Sequence, residues 1–480
     1  MIEEKVLVIG SGLAAYGTVL ALLEDKNIKI DVIDIGLEEP YKNQPNQTIL
    51  NSKDINGSFF PYGLNDKRWD IKIESKRLCS SHGFGGFSKV YSGSILQPQI
   101  NDLKRWPSKS IPSEDDYYKI ISSLKIKYKK DELENYFPLY PKNKTFNLTK
   151  KYILGNSRIA YEDNIQNETP FDVSNSFKKW SKEGLINYRN NCYVMKLEFI
   201  KNKIKVFVDL IGSKKIYTYN KVFVGAGCIN TTSLIDRSLY KSGERNYNIK
   251  EAPILIQLCL KLDLRKIFIK NKSSYSSKYS LCNYFLEVKS REMNDLWSHT
   301  QIGSLNRIIL EKAKVKLPSF IYYFISRLHN LFNFSQTFLH SDNAPVENKL
   351  ISKITTKNKK NMQTIIINEK PYLINFKISN QIKIAIICKF KQLKLIPIPF
   401  SQLIGAFFRG NRLGGWHIGG TLPMKEKSNK LSNCKSTGEL NGIRNVFVID
   451  SSGFPSIPGS SVALLTMANS YRIAKNSLKN

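Results

Sequence analysis

Near the end of this 480-residue chain, the stretch GGWHIGGTLPM (Gly414–Met424) sets one imidazole, His417, between two glycine pairs. Imidazole is neutral yet basic near neutral pH, with an unperturbed pKa of about 6.5, which suits it to take a proton from a hydroxyl. The flanking glycines (Gly414, Gly415, Gly419, Gly420) let backbone pack tightly against a planar group. Out of context, a lone histidine is more often a core or turn residue with satisfied hydrogen bonds, which is how His82, His299, His329 and His340 read. Whether His417 differs depends on what the rest of the chain can hold beside it.

The opening segment, KVLVIGSGLAAYGTVLALLE, runs from a continuous apolar strand (Val6–Ile9) through Gly10 and Gly12 into an apolar helix, with Ala15 at the third small position. This is G-x-G-x-x-A after a strand and before a helix, the context in which the motif means dinucleotide binding. Gly10 permits the tight turn, Gly12 lets backbone approach a pyrophosphate, and Ala15 lets the helix sit close to the strand. Leu13, Ala14 and Ala15 form the helix N-terminus that faces the phosphate. The next strand, IKIDVIDIG, ends in Asp34, ~20 residues on, where an acid holds a ribose 2′-hydroxyl. That acid argues against a 2′-phosphate, leaving NAD or FAD ahead of NADP. A second glycine cluster, CSSHGFGGFSKVYSGSILQP (Cys79–Pro98), offers Gly85, Gly86 and Ser88 to a flat or phosphate-bearing ligand; its bland alternative is a surface turn. Cys192–Gly227 reads as a β-meander closing on Gly225-Ala226-Gly227. Gly442–Ala474 reads as a strand ending in Asp450 and Ser451, then a helix from near Ser460.

Composition restricts the classes. A hydrophobic fraction of 41% and an aromatic fraction of 11% are those of a globular chain. The formal charge of +33 allows an anionic partner, but the lysines are scattered and no zinc-finger or RNA-binding fingerprint accompanies them. No nucleic-acid partner is expected. Seven cysteines without a CxxC pair suit reduced thiols and give no disulfide or metal framework. No signal peptide is visible and no apolar run reaches the ~20 clean residues of a spanning helix. The expectation is therefore a cytoplasmic protein without a transmembrane segment. LPSFIYYFISRLHNLFNF (Leu317–Phe334), broken by Arg327 and His329, reads as a buried helix, with a lid or interfacial helix as the alternative.

The five blocks together resemble the glucose–methanol–choline (GMC) family of FAD-dependent oxidoreductases. They are the glycine motif with Asp34, GFGGFSKVYSG, VFVGAGCINTTSLI, HIGGTLPM and NVFVIDSSGFP, in the family's order and covering less than half of the chain. The resemblance implies that FAD is held by Gly10, Gly12, Leu13, Ala14, Ala15, Asp34, Gly85, Gly86, Ser88, Val194, Gly225, Ala226, Gly227, Asp450 and Ser451. It implies that His417 lies at the isoalloxazine ring and takes the hydroxyl proton while hydride leaves for flavin N5. Two departures stand out. Where the family carries a second catalytic His or Asn, this chain has Ser461, either a substrate contact or a helix cap. Where covalent members carry a flavin-linking His, this chain has Val90, so the FAD is expected to be non-covalent.

The expected fold is a discontinuous α/β FAD-binding Rossmann-like domain (1–100, 186–240 and 430–480) with an α+β substrate domain of antiparallel sheet and covering helices (101–185 and 241–429). Trp297, Tyr322, Tyr323 and Phe324 are candidates to line the pocket, each more simply read as core. The expected activity is oxidation of the CH–OH group of an alcohol, sugar or polyol to a carbonyl, with a small-molecule substrate and an unidentified electron acceptor. The rivals are an isomerase- or mutase-like flavoprotein, an FAD-binding protein without alcohol oxidation, and, weakest, a basic nucleic-acid binder.

Overall fold

The structure is a computed structural model. It describes residues 4–37, 72–75, 78, 80–89, 91, 93–127, 152–156, 158–161, 171–262, 284–304, 318–320, 322–323, 331–344, 348–357, 360–369, 376–403 and 417–479. A five-stranded parallel sheet forms the floor, in the order Val446–Val448, Lys221–Val224, Glu4–Ile9, Ile28–Ile33, Asn187–Arg189. Its inner strands carry continuous apolar runs, Val6–Ile9, Val222–Val224 and Val446–Val448, because both faces are covered; Val6, Leu7, Val8, Val222, Phe223 and Val224 are fully buried.

The opening helix (Leu13–Leu22) packs on the C-terminal helix (Val462–Ser477). Gly17 makes that contact possible: a Cβ there would collide with the carbonyl oxygen of Met467 and the hydroxyl of Ser470. The helix Glu114–Ser123 starts with a capping box, Ser113 with Asp116. It joins this layer, with the Tyr16 hydroxyl donating to Ser123 Oγ at 2.9 Å. Tyr16 also stacks on Trp180 of the helix Val173–Lys182, ring centroids 5.4 Å apart. Both helices come from the 101–185 stretch assigned to the substrate unit, yet they pack on the nucleotide unit.

The β-meander is present as Tyr193–Ile200, Lys203–Asp209 and Lys214–Tyr219, antiparallel throughout. It is tied to the helix Cys228–Leu239 by Arg237, which donates to Val194 O at 2.8 Å.

Two further sheets stand over the floor. One runs Ile418–Gly419, Gly243–Glu251, Asn348–Lys357, Lys360–Asn368, Lys72–Glu74. The other, here the roof sheet, is six-stranded and antiparallel: Leu395–Pro397, Ile254–Lys261, Phe332–Phe338, Trp297–Ser304, Tyr284–Lys289, Tyr152–Asn156. The helix Phe376–Cys388 covers one roof face, burying Ile378, Ile382 and Ile386 against Leu255, Leu286, Val288 and Ile302. An antiparallel sheet with a covering helix was expected here. Tyr152–Asn156, from the 101–185 stretch, joins the roof as an end strand paired with Tyr284–Lys289. Phe332–Phe338 is also a strand, so Leu317–Phe334 is not one buried helix. Within it, Phe320 is 75% and Tyr323 55% exposed, so neither is core. Trp297 is buried in the roof and Tyr322 is half-buried, while Phe324 lies outside the described residues. Among the described residues no helix is long and apolar enough to cross a membrane, and the five described cysteines are unpaired.

Candidate active site

Three glycine loops meet at the C-terminal ends of the floor strands. The Gly10 amide donates to Ile33 O at 2.8 Å and the Gly225 amide to Ile9 O at 2.9 Å. Gly10 has φ +102°, and a Cβ on it would run into the carbonyl of Gly225. Across the gap, the Gly85 amide donates to Ser11 Oγ at 2.9 Å, and a Cβ on Gly12 would meet only Gly86 Cα, 4.0 Å away. A Cβ on Gly227 would meet nothing within 4 Å. The first, second and third loops thus border one gap with bare backbone.

The helices starting at Leu13, Cys228 and Val462 have no side-chain cap and no acidic residue in the first turn. Their free N–H groups and dipole ends suit an anion. Asp34, at the end of its strand, accepts hydrogen bonds from the Ser11 hydroxyl and from the amides of Ile35 and Gly36; burial raises its pKa to about 7. Open helix starts beside a bare glycine gap, with a carboxylate at the adjacent strand end, fit a pyrophosphate-bearing dinucleotide such as FAD. Among the described residues no cluster could hold a metal ion.

The other expected cofactor residues divide by role. Ala14 and Ala15 are buried and Leu13 half-buried, so what they offer the gap is backbone. Ser88 turns inward, donating to Gly85 O at 2.7 Å. Val194 sits in the meander with its carbonyl taken by Arg237. Asp450 also points inward: it accepts from Gly227 N at 2.8 Å, Thr231 Oγ1 at 2.5 Å and Ser452 N at 2.9 Å. It therefore shapes the third glycine loop from behind. Ser451 Oγ donates to Ile418 O at 2.6 Å, and its own carbonyl accepts from Gly420 N at 2.9 Å. Val90 lies outside the described residues.

These last bonds anchor the histidine segment. A Cβ on Gly419 would strike Ser451 O, and Gly420 has φ +74°, so both glycines are required by the close crossing. Thr421 Oγ1 lies 2.6 Å from Thr232 Oγ1 and 3.7 Å from Cys228 Sγ, on the helix that follows Gly227. His417 is thereby held over the third glycine loop. Its carbonyl accepts from Ala252 N at 3.0 Å, and its ring stacks on Phe338 of the roof with centroids 4.5 Å apart. Among the described residues its Nδ1 has no hydrogen-bond partner, and enclosure by protein lowers its pKa to about 4. The imidazole is neutral and unsaturated.

Ser461 stands at the N-cap position of the C-terminal helix, but its side chain does not cap it. Its hydroxyl donates to Ser94 O at 2.5 Å. Ser461→Ala is expected to lower thermal stability slightly, by about 1 kcal/mol for one hydrogen bond, and to leave substrate oxidation within about threefold. Thermal melts and steady-state rates check this; a loss beyond tenfold would return Ser461 to the chemistry.

The roof brings residues that sequence reasoning left in the core. Glu287, His299 and Phe338 are directly opposed across three adjacent strands, so their side chains share a face. Phe338 stacks on His417, which identifies that face as the one turned toward the floor. His299 is buried, and its pKa is lowered to about 3, chiefly by burial and secondarily by the nearby His417. By contrast His340 is structural as expected: Nε2 lies 3.0 Å from Asp102 O, and Nδ1 accepts from Asp342 N at 3.1 Å.

Comparison with known proteins agrees with this architecture. Residues 392–470 match the family model described as GMC oxidoreductase. No curated protein matches the sequence. Among solved structures, pyridoxine 4-oxidase from Mesorbium loti superposes with a TM-score of 0.62 at 12% identity, covering 99% of both chains. An FAD-dependent oxidoreductase from Chaetomium thermophilum, in complex with a pyridinyl-thiophenyl butanamide fragment, gives 0.58 at 12% identity, again covering 99% of both.

Proposed function

Because this chain carries the C-terminal domain of the GMC oxidoreductases on the fold of a flavin oxidoreductase, we propose that it binds FAD and oxidises a CH–OH group of a small molecule to a carbonyl. Gly10, Gly12 and the helix start at Leu13–Ala15 hold the pyrophosphate, Asp34 the ribose, and the loops at Gly85–Gly86 and Gly225–Gly227 close on the dinucleotide. Bound there, FAD supplies a two-electron hydride acceptor. His417 accepts the hydroxyl proton through a ring nitrogen, so the carbon–hydrogen bond can release its pair without a free alkoxide forming. The roof and Phe338 exclude water from the exchange. The FAD is dissociable in this reading.

The observation that carries the proposal is the neutral imidazole of His417, its Nδ1 without a hydrogen-bond partner among the described residues, on a segment that Thr421 ties to the helix after the third glycine loop. The test is anaerobic reduction of the purified yellow protein by a panel of alcohols and polyols. Substrate-dependent bleaching is expected; a protein that takes up no FAD, or whose flavin no hydroxyl compound reduces, sinks the reading.

The pH dependence follows from the lowered pKa. A base with pKa about 4 is deprotonated throughout the neutral range, so the reduction rate is expected to be flat from about pH 6 to 9. It should fall as pH drops through about 4, where the ring takes its proton from solvent instead. A limb near pH 6.5 in the stopped-flow profile would mean the imidazole is not enclosed in the working enzyme.

A further inference from the structure

Six buried polar atoms gather under the roof with no hydrogen-bond partner among the described residues: both ring nitrogens of His299, Trp297 Nε1, Gln97 Oε1, Ser460 Oγ and His417 Nδ1. Buried polar groups are normally paired, and an orphaned one is destabilising. They are not scattered. Trp297 and His299 are alternate residues of one strand, on the same face as Phe338, which stacks on His417. The backbone of Gly459 is wedged against that strand end: a Cβ there would lie 2.7 Å from Phe338 O and 2.9 Å from Trp297 O. This sets Ser460 at the same place. Leu96 packs with Ile153, Phe285 and Trp297, which brings in Gln97.

The row has an internal order. Glu287 Oε1 lies 3.8 Å from His299 Nδ1, while Glu287 Oε2 accepts from Gln99 Nε2 at 2.6 Å. The carboxyl is therefore fixed from one side and faces the imidazole on the other. Gln301 and Gln336 continue the same face, opposed across the next ladder position, and both are buried. The opposite face packs Leu255, Leu286, Val288 and Ile302 on Ile378, Ile382 and Ile386, and the polar groups it carries have partners: Thr300 Oγ1 lies 2.8 Å from Thr337 Oγ1, and Ser298 Oγ donates to Val288 O at 3.2 Å.

We propose that His299, oriented by Glu287, is a substrate-binding residue that hydrogen-bonds a second hydroxyl of the substrate, adjacent to the one that gives its proton to His417. The substrate is then a vicinal diol or larger polyol rather than a lone alcohol. A hydroxyl both donates and accepts, which is what a set of orphans containing an indole N–H, an amide oxygen, a serine hydroxyl and two imidazoles needs. The aromatic members, Trp297 and Phe338, suit the apolar C–H face of such a compound. The proposal rests on the oxidation reading for the site's location, and its test separates the two.

Oxidised holoenzyme is titrated with 1,2-propanediol against 1-propanol, and with cis-1,2-cyclohexanediol against cyclohexanol, by saturation-transfer NMR. Anaerobic flavin reduction is followed on the same pairs. The wild type is expected to favour the diols by about 10- to 100-fold in binding, the cost of leaving a hydrogen-bonding site unfilled. His299→Leu keeps the bulk and should bring the binding ratio to within about threefold. His299→Gln, which retains a donor and an acceptor, should recover part of the preference. Should the leucine variant fail to fold, Glu287→Gln keeps the shape and is expected to weaken the diol preference through loss of orientation. Equal binding of diol and mono-alcohol by the wild type, or an unchanged ratio in a folded His299→Leu, overturns this proposal and leaves alcohol oxidation standing. Diol preference without flavin reduction supports the pair and sinks the oxidation reading instead.

Discussion

His417→Ala is expected to lower the rate constant for flavin reduction about 1,000-fold, within the range that a positioned general base contributes. Flavin content and melting temperature should stay close to wild type. The residue touches the glycine gap only through its neighbours: Gly419 crosses Ser451, Thr421 meets Thr232, and the His417 carbonyl, which the substitution keeps, binds the Ala252 amide. Rapid-mixing reduction with the best substrate of the panel checks it. A loss below tenfold would mean that the hydroxyl proton leaves by another route, and a colourless variant would mean the side chain holds the cofactor.

Gly17→Ala should be severe although it adds one methyl group. Helix propensity alone favours alanine over glycine by about 1 kcal/mol in a helix interior. Here the new carbon would overlap the Met467 carbonyl and the Ser470 hydroxyl of the C-terminal helix. A backbone carbonyl in a helix cannot rotate away, so the two helices must part. Overpacking costs about 1–3 kcal/mol in typical cores and more against rigid backbone; a net loss of about 2 kcal/mol or more is expected, a fall in melting temperature of about 4 °C or more at the shifts seen for large domains. Weaker FAD retention should accompany it, because the displaced helix begins at the pyrophosphate end. Calorimetry of the holoprotein decides; a variant as stable as wild type would mean the helices slide apart at no cost.

Much of the floor was legible because its signals are local. An apolar run of strand length, Gly10 and Gly12 in the turn, and an acid closing the next strand all lie within Val6–Asp34. The reading gave Ala15 the close approach of helix to strand and did not single out Gly17, which allows helix to meet helix. The roof was less legible because its signals are relational. In Trp297–Ser304, WSHTQIGS, polar residues occupy both faces of the strand, and nothing in the eight letters says that His299 and Gln301 share the face of Phe338 while Ser298 lies on the other. The register with Phe338 and Glu287 says so, from 39 residues one way and 12 the other. Leu317–Phe334 misled because apolar runs of that kind suit a buried strand as well as a helix. Ser461 read equally as cap or contact; its actual partner, Ser94 O, lies 367 residues away in the chain.

The backbone from Gly243 to Lys261 serves first one standing sheet and then the other, changing over at Ala252-Pro253. At that changeover the Ala252 amide grips the His417 carbonyl and the Pro253 carbonyl takes the Leu339 amide, next to Phe338. A shift of either standing sheet at this joint would therefore reach the backbone of His417 and the strand of Phe338 together, through two main-chain bonds.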